Sequence, residues 1–390
     1  LACGSLSTMS HSGFSLYVHV PWCERKCPYC DFNSHALPAG HTLDPEIEQA
    51  YVLQLLKDLD LDLESHNLSG EIDTLFIGGG TPSLFSSDAI DQLLTGIHQR
   101  LPIASHAECT LEANPGSSDH AKFARFRAAG INRLSLGIQS FSDIALTALG
   151  RVHHRDEAIA AIESARAAGF NNINLDLMYG LPGQLPDDAL KDLAEALNFR
   201  PEHISWYQLT IEPNTVFYRT SPSLPHENLL LEIDKIGLQC LKDHGYQRYE
   251  VSAFARNPQL RSKHNLNYWQ FGDYLGIGAG AHGKITTHAP HHRVIRTQKT
   301  RAPQHYLAAV NPSQRQIETQ DLPLEFLMNG LRLVDGFLLS QFEATTRLPV
   351  STLDDFIKAG ETRGWLTRDN GQLRATPRGY HFLDSLLTLI

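Results

Sequence analysis

Through the first 245 residues, short aliphatic and β-branched runs alternate with amphipathic stretches. Runs at 16–20, 74–78, 108–112, 133–137, 173–178 and 204–209 have the length and apolar character of buried strands. Helical patterns stand between them. PEIEQAYVLQLLKDLDLDL is one, and SDHAKFARFRAAG, ending at Gly130, is another. RDEAIAAIESARAAGF repeats the design and stops at Gly169. Glycine just past a helix end terminates it by taking a left-handed conformation. Six strand–helix units in a row predict a parallel sheet with helices outside it. Six are too few to close an eight-stranded barrel, so the expected fold is α/β, an open (β/α)6 partial barrel with a wide mouth.

The remainder reads differently. Residues 246–320 are less regular and are taken as a connecting region, with four glycines between Gly276 and Gly283 where the backbone can approach a ligand closely. From 321 to 390 come three short helical patterns and GWLTRDNGQLRAT, whose Asn370-Gly371 pair is a hairpin-turn signal. Helices followed by a hairpin predict a winged-helix-like α+β domain. The expected division is therefore a disordered segment over 1–14, the partial barrel over 15–245, the connecting region over 246–320 and the C-terminal domain over 321–390.

Composition narrows the partners. Apolar residues make up 42% and charged residues 19%, values of an ordinary globular chain. Net charge is −10, and the C-terminal domain has nine acidic against seven basic residues, which argues against nucleic acid. No apolar run reaches the length of a transmembrane helix. Leu1-Ala2-Cys3-Gly4 looks like the tail of a lipoprotein cleavage box, read as a leader remnant or a misassigned start with Met9 as the true one.

The chemistry is concentrated at Cys23, Cys27 and Cys30, in YVHVPWCERKCPYCDF directly after the first strand. Six cysteines in 390 residues, with Cys3, Cys109 and Cys240 scattered, do not make a disulfide framework. A zinc site would need His19 or His35 as fourth ligand and lacks a second cysteine pair. Three thiolates on one loop can instead hold three irons of a [4Fe–4S] cluster and leave the fourth open. Such thiols require a reducing compartment, so the expected location is the cytoplasm. The spacing is that of radical S-adenosylmethionine (SAM) proteins, in which an aromatic such as Tyr29 precedes the last cysteine.

In barrels of this type the chemistry sits at the C-terminal strand ends. There the sequence places Gly78-Gly79-Gly80-Thr81-Pro82, Glu112, Gln139, Asp176 and Thr210, with Arg151 soon after the fourth strand. The glycine turn lacks the lysine of a P-loop. Beside the cysteines it is read as bare backbone, donors and acceptors, for the amino end of SAM. Glu112 and Asp176 suit ribose hydroxyls, and Arg151 suits a carboxylate. In HNLNYW, His264 stands with Asn265, Tyr268 and Trp269. It is a candidate haem ligand among aromatic faces, or a buried histidine in an aromatic corner. His288, His291 and His292 are read as a solvated loop.

YVHVPWCERKCPYCDF, IGGGTP, LEANP, LSLGIQSF, INLDLMYGLPGQ, HNLNYW and GDYLGIGAGAHG, in this order, resemble the HemW-type haem chaperones, relatives of oxygen-independent coproporphyrinogen III oxidase. The resemblance implies a radical SAM partial barrel with Cys23, Cys27 and Cys30 as cluster ligands. It implies SAM contacts at Tyr17, Tyr29, Gly79, Gly80, Thr81, Glu112, Gln139, Arg151 and Asp176, with Thr210 and His282 as further positions. Haem, haem-acceptor proteins of the respiratory chain and a second copy of the chain are the implied partners. Phe32 stands where the oxidases carry a fourth cysteine, which favours the chaperone over the alternative, a radical enzyme acting on a porphyrinogen.

Overall fold

A computed structural model describes residues 14–117, 120–287 and 292–390. The leader-like N-terminus, Met9, and His288 and His291 lie outside the described residues. Phe14, expected in a disordered segment, instead opens the first strand, its N–H donating to the Glu71 carbonyl at 2.8 Å.

The six expected strands form, five of them lengthened at one or both ends and the sixth shifted by one residue: β1 (Phe14–Val20), β2 (Ile72–Gly79), β3 (Ile103–Ala113), β4 (Arg133–Gln139), β5 (Ile173–Tyr179) and β6 (His203–Gln208). They pair in parallel in chain order. Outside them pack α1 (Pro45–His66), α2 (Ser87–His98), α3 (His120–Ala129), α4 (Arg155–Ala167), α5 (Pro186–Asn198) and α6 (Glu227–Asp243). Gly130 and Gly169 follow α3 and α4 with positive φ, as the helix stops require.

The stretch read as less regular is built into the same sheet. β7 (Gln247–Glu250) forms the sheet edge and pairs antiparallel with β8 (Ala253–Ala255), which runs antiparallel to β6. The short helix α7 (Lys263–Trp269) carries the chain to the opposite edge, hydrogen-bonded on the way to Thr74 of β2 and Glu108 of β3. There β9 (Tyr274–Ile277) joins β1 as a seventh parallel strand, extended by β10 (His282–Thr287), β11 (Arg293–Gln298) and β12 (Ser313–Gln316). The described sheet thus has twelve strands. Glycine spacing hid β9, because a strand of Tyr-Leu-Gly-Ile lacks the apolar length that marks the other six.

The parallel strands are buried on both faces, but the faces differ. Side chains alternate along a strand, so every second residue points the same way. Leu134, Leu136, Leu175 and Ile204 belong to the hydrophobic core under the helices. The alternate positions are polar: Arg133, Ser135 and Gln139 on β4, Asn174 and Asp176 on β5, His203, Ser205 and Tyr207 on β6. They bond across strands, with Ser135 Oγ donating to Asp176 at 2.9 Å, Asn174 to Ser135 at 2.8 Å and Tyr207 to Gln139 at 2.8 Å. Burying polar groups is tolerable only when they are paired in this way.

Behind β1 a buried ion cluster joins α1 to the added strands. Lys299, wholly buried, reaches Asp58 and Asp62 at 2.6 Å each. Asp58 also accepts from Tyr306 at 2.7 Å and from the Gly278 N–H at 3.0 Å.

The C-terminal unit has its own apolar core, centred on Phe326, Phe342 and Phe356. Helices α8 (Leu322–Gly330), α9 (Leu339–Thr346) and α10 (Asp354–Thr362) pack with a three-stranded sheet of β13 (Phe337–Leu338), β14 (Leu366–Asp369) and β15 (Gln372–Ala375). Asn370 and Gly371 both have positive φ between β14 and β15, the turn that their sequence calls for. The fold is an open (β/α)6 barrel extended at both edges, with a winged-helix-like domain attached.

Candidate functional site

The C-terminal strand ends enclose a cavity of about 560 Å³. It is the size of a pocket for one small ligand. All three loop cysteines border it. None is in a disulfide. The loop turns tightly, with the Cys30 N–H donating to the Cys27 carbonyl at 3.1 Å. Ser34 Oγ lies 3.6 Å from the Cys30 sulfur, and Arg151 Nη1 donates to the Cys27 sulfur at 3.6 Å. Burial pushes the Cys23 and Cys30 thiols up from their usual range. Iron ligation would supply the positive charge that stabilises their thiolates. Among the described residues no three His, Cys, Asp or Glu side chains converge as ligands of a single metal ion. A cubane differs from one ion in that each of its ligands binds a different iron, so three separated thiols that face one space fit it.

The loop is anchored from the glycine-rich segment. Asn33 donates to the Ala279 carbonyl at 2.8 Å and to the Arg301 carbonyl at 2.9 Å. A Cβ on Gly280 would lie 2.4 Å from the Asn33 amide, which explains the glycine. The backbone therefore approaches the tail of the cysteine loop.

Across the cavity from the loop, Glu112 and Asp176 face each other from β3 and β5. Burial first, then the neighbouring Asp176 charge, pushes the Glu112 carboxyl up to about 8. Burial raises Asp176 as well, against hydrogen bonds from Ser135, Asn174 and Ser205. The Arg133 charge offsets both in part, but neither carboxyl makes an ion pair among the described residues, which suits a cationic ligand. Arg151 reaches Asn114 at 2.8 Å and the Gly137 carbonyl at 2.9 Å, while its Nε is buried without a partner. Gln139 has φ of +68° at a register shift between β4 and β5, a conformation that costs a non-glycine residue backbone strain.

The glycine turn differs from its expected role. The N–H of Gly79 donates to Glu112 at 3.0 Å, that of Gly80 to Val20 at 2.7 Å and that of Thr81 to Trp22 at 2.7 Å. Its donors are spent within the protein, so only acceptors remain for a ligand, which suits an ammonium group. A Cβ on Gly79 would lie 2.5 Å from the His19 ring, and φ there is +114°. Glycine at 79 is thus required by internal packing.

Tyr29 and Thr210 border the cavity too; Thr210 donates to Glu212 at 2.9 Å. Tyr17 lies behind the wall, its hydroxyl 2.9 Å from His19 Nδ1. His282 is exposed at the start of β10, away from the cavity lining. Sequence reasoning passed over Asn114 and Tyr207. Both are polar groups at strand ends, and the criterion that found Glu112 and Gln139 covers them.

The HNLNYW motif divides by helical spacing. On α7, Asn265 and Trp269 border the cavity. His264 and Tyr268, also four apart, face β1 and β2 instead. His264 Nδ1 pairs with Thr74 at 2.8 Å and Nε2 with Tyr268 at 2.7 Å, and the ring stacks on Phe76 at 5.1 Å. Burial depresses its pKa to about 3, so the ring is neutral. Both nitrogens are committed, which is the buried-corner alternative; iron ligation would first have to break one of these bonds.

The chain matches the Radical SAM superfamily over residues 17–196 and the HemN C-terminal domain over 317–382. It is a radical SAM protein, and that superfamily carries a [4Fe–4S] cluster and SAM. It is 47% identical over 376 residues to "Heme chaperone HemW" of Escherichia coli (strain K12), covering 96% of this chain and 97% of that protein. The protein of the same description from Haemophilus influenzae is 44% identical, over 96% and 97% of the two chains. With such identity along nearly its whole length, this chain belongs to the HemW family. It is also 36% identical to mouse "Radical S-adenosyl methionine domain-containing protein 1, mitochondrial", over 96% of this chain and 86% of that one. The solved structure of E. coli coproporphyrinogen III oxidase (HemN) superposes with a TM-score of 0.79, covering 97% and 89% of the two chains at 21% identity. That likeness establishes a shared fold and no more. Among the described residues no helix is long and apolar enough to cross a membrane.

Proposed function

We propose that this protein is a haem chaperone that binds haem, a [4Fe–4S] cluster and SAM, and delivers haem to acceptor proteins, respiratory cytochromes among them, in the cytoplasm. The observation that carries the reading is the near-full-length identity to proteins described as heme chaperones. Phe32, 62% exposed at the cavity mouth where the oxidases have a cysteine, supports it against porphyrinogen oxidation.

Cys23, Cys27 and Cys30 are the proposed cluster ligands. When bound, the cluster would supply an electron for reductive cleavage of SAM, the chemistry of the superfamily. Glu112 and Asp176 would hold the cationic and hydroxyl groups of SAM, and Arg151 its carboxylate. Gln139 and Tyr207, bonded to each other, would fix the far wall.

The test is anaerobic. Reconstituted protein should carry about four irons per chain, and Cys27→Ser should lose them. Haem titration should saturate at about one per chain with a shifted Soret band. With SAM and reductant present, coproporphyrinogen should remain unconverted. Multiple-turnover formation of protoporphyrinogen would replace the chaperone reading with the oxidase one.

A further inference from the structure

A second and larger recess lies outside the strand-end cavity. It is a groove of about 920 Å³ between α6 and the C-terminal domain. Helix α6 has two working faces. Ile233, Gly237 and Leu241 are buried in the fold. Leu230, Leu231, Asp234 and Leu238 recur at helical spacing beside them and line the groove. Leu231 is 40% exposed, an apolar side chain with nothing over it among the described residues. The facing wall comes from the β14–β15 hairpin and the segment after it, with Arg374, Tyr380 and His381. Gln208, at the end of β6, borders both the groove and the strand-end cavity.

The imidazoles of His264 and His381 are opposites. His264 has both ring nitrogens hydrogen-bonded in the interior. His381 is exposed at the groove, makes no hydrogen bond or ion pair among the described residues, and touches one ring, Phe382, at 5.3 Å. Tyr380 beside it is fixed. The Arg248 guanidinium lies 4.9 Å from its ring centre, and its hydroxyl donates to the Arg332 carbonyl. Glu227 and Asp234 make one end of the groove acidic, and Arg374 stands on the opposite wall.

The strand-end cavity is already taken by the cluster and SAM in the reading above, and the groove of about 920 Å³ is the larger recess. It offers a leucine stripe for a flat apolar face, a free imidazole for iron and a guanidinium for a propionate.

We propose that the groove between α6 and the C-terminal domain is the haem site, with His381 as the side chain offered to iron. Leu230, Leu231 and Leu238 pack on the macrocycle, and Arg374 receives a propionate. This rests on the reading of the protein as a haem binder and adds the place. The site lies outside the strand-end cavity, with Gln208 bordering both recesses. An oxidation substrate would have to sit within the cavity, so a haem held here is sheltered from that chemistry.

The experiment titrates ferric haem into the full-length, cluster-reconstituted protein and follows the Soret band and the electron paramagnetic resonance of the iron. His381→Ala should remove the nitrogen-ligated signature and weaken binding by about tenfold or more. Leu231→Glu, which places a charge against the macrocycle, should weaken binding with the signature kept. Cluster iron content and circular dichroism should stay unchanged in both. If both variants bind haem with unaltered affinity and spectrum, the groove is not the site, although haem binding stands. If the unaltered protein binds no haem, the haem reading itself falls and the site with it.

Discussion

Two buried polar clusters, one behind β1 and one on β3 and β5, are built on opposite principles. Behind the strand, Lys299 stands 2.6 Å from each of Asp58 and Asp62, and Tyr306 and the Gly278 amide complete the shell around Asp58. Even there, burial raises the Asp62 carboxyl to about 6, against the nearby lysine. Under the cavity, Glu112 and Asp176 face each other, and Arg151 spends its guanidinium on Asn114, Gly137 and Cys27. The first cluster pairs its charges within the protein and fastens α1 to the added strands. In the second, the Arg133 charge offsets Glu112 and Asp176 in part, but neither carboxyl makes an ion pair among the described residues. A cluster whose charges are paired within the protein is architecture. One whose carboxyls are left without an ion pair is prepared for a ligand.

The largest expected effect breaks the compensated cluster. Lys299→Met strands two carboxylates in the interior and should cost about 3–5 kcal/mol in urea unfolding near neutral pH. The loss should shrink in acid, where the carboxyls can take up protons. A cost below about 1 kcal/mol would erase the contrast.

Glu112→Gln probes the other cluster. The folded pKa of about 8 lies above the ordinary glutamate value, so the stability Glu112 contributes is present below about 4.5 and lost as pH rises through 8. The urea midpoint of cofactor-free protein should therefore fall less steeply across pH 5–9 in the variant. SAM affinity should drop about tenfold. In the unaltered protein that affinity should rise toward pH 9, because a cation favours the ionised carboxylate. Equal pH profiles for the two proteins would count against an uncompensated site.

Asn33→Ala removes two hydrogen bonds from the cysteine loop to the segments that follow β9 and β11, about 1–2 kcal/mol of local support. The reconstituted cluster should form with normal absorption but lose iron faster to a chelator. An unchanged rate would mean that the loop holds its shape unaided.

The smallest effect is expected at Tyr17→Phe. Its hydroxyl bonds to His19 behind the wall, so the change should cost about 1 kcal/mol and leave SAM affinity within about twofold. A larger loss of affinity would return Tyr17 to the site.

The sequence by itself determined the six parallel strands, the helix stops at Gly130 and Gly169, the wing turn at Asn370-Gly371 and the three cysteines on the first loop. Each depends on local pattern: apolar runs, positive-φ residues, spacing along one turn of chain. Glu112, Gln139 and Asp176 were legible for the same reason, since a strand end is a local address.

Only tertiary structure decided the rest. That β9 closes onto β1 and brings Gly280 against Asn33 depends on a chain reversal of some 250 residues, which no local period records. That His264 turns away from the cavity while Asn265 and Trp269 turn toward it depends on which face of α7 meets Phe76 and Thr74. That the amides of the glycine turn are spent depends on Val20, Trp22 and Glu112 arriving from other strands. Charge follows the same rule. Lys299, Asp58 and Asp62 look like surface residues along the chain, yet folding makes them a buried triad, because whether a charge is compensated depends on neighbours in space and not in sequence.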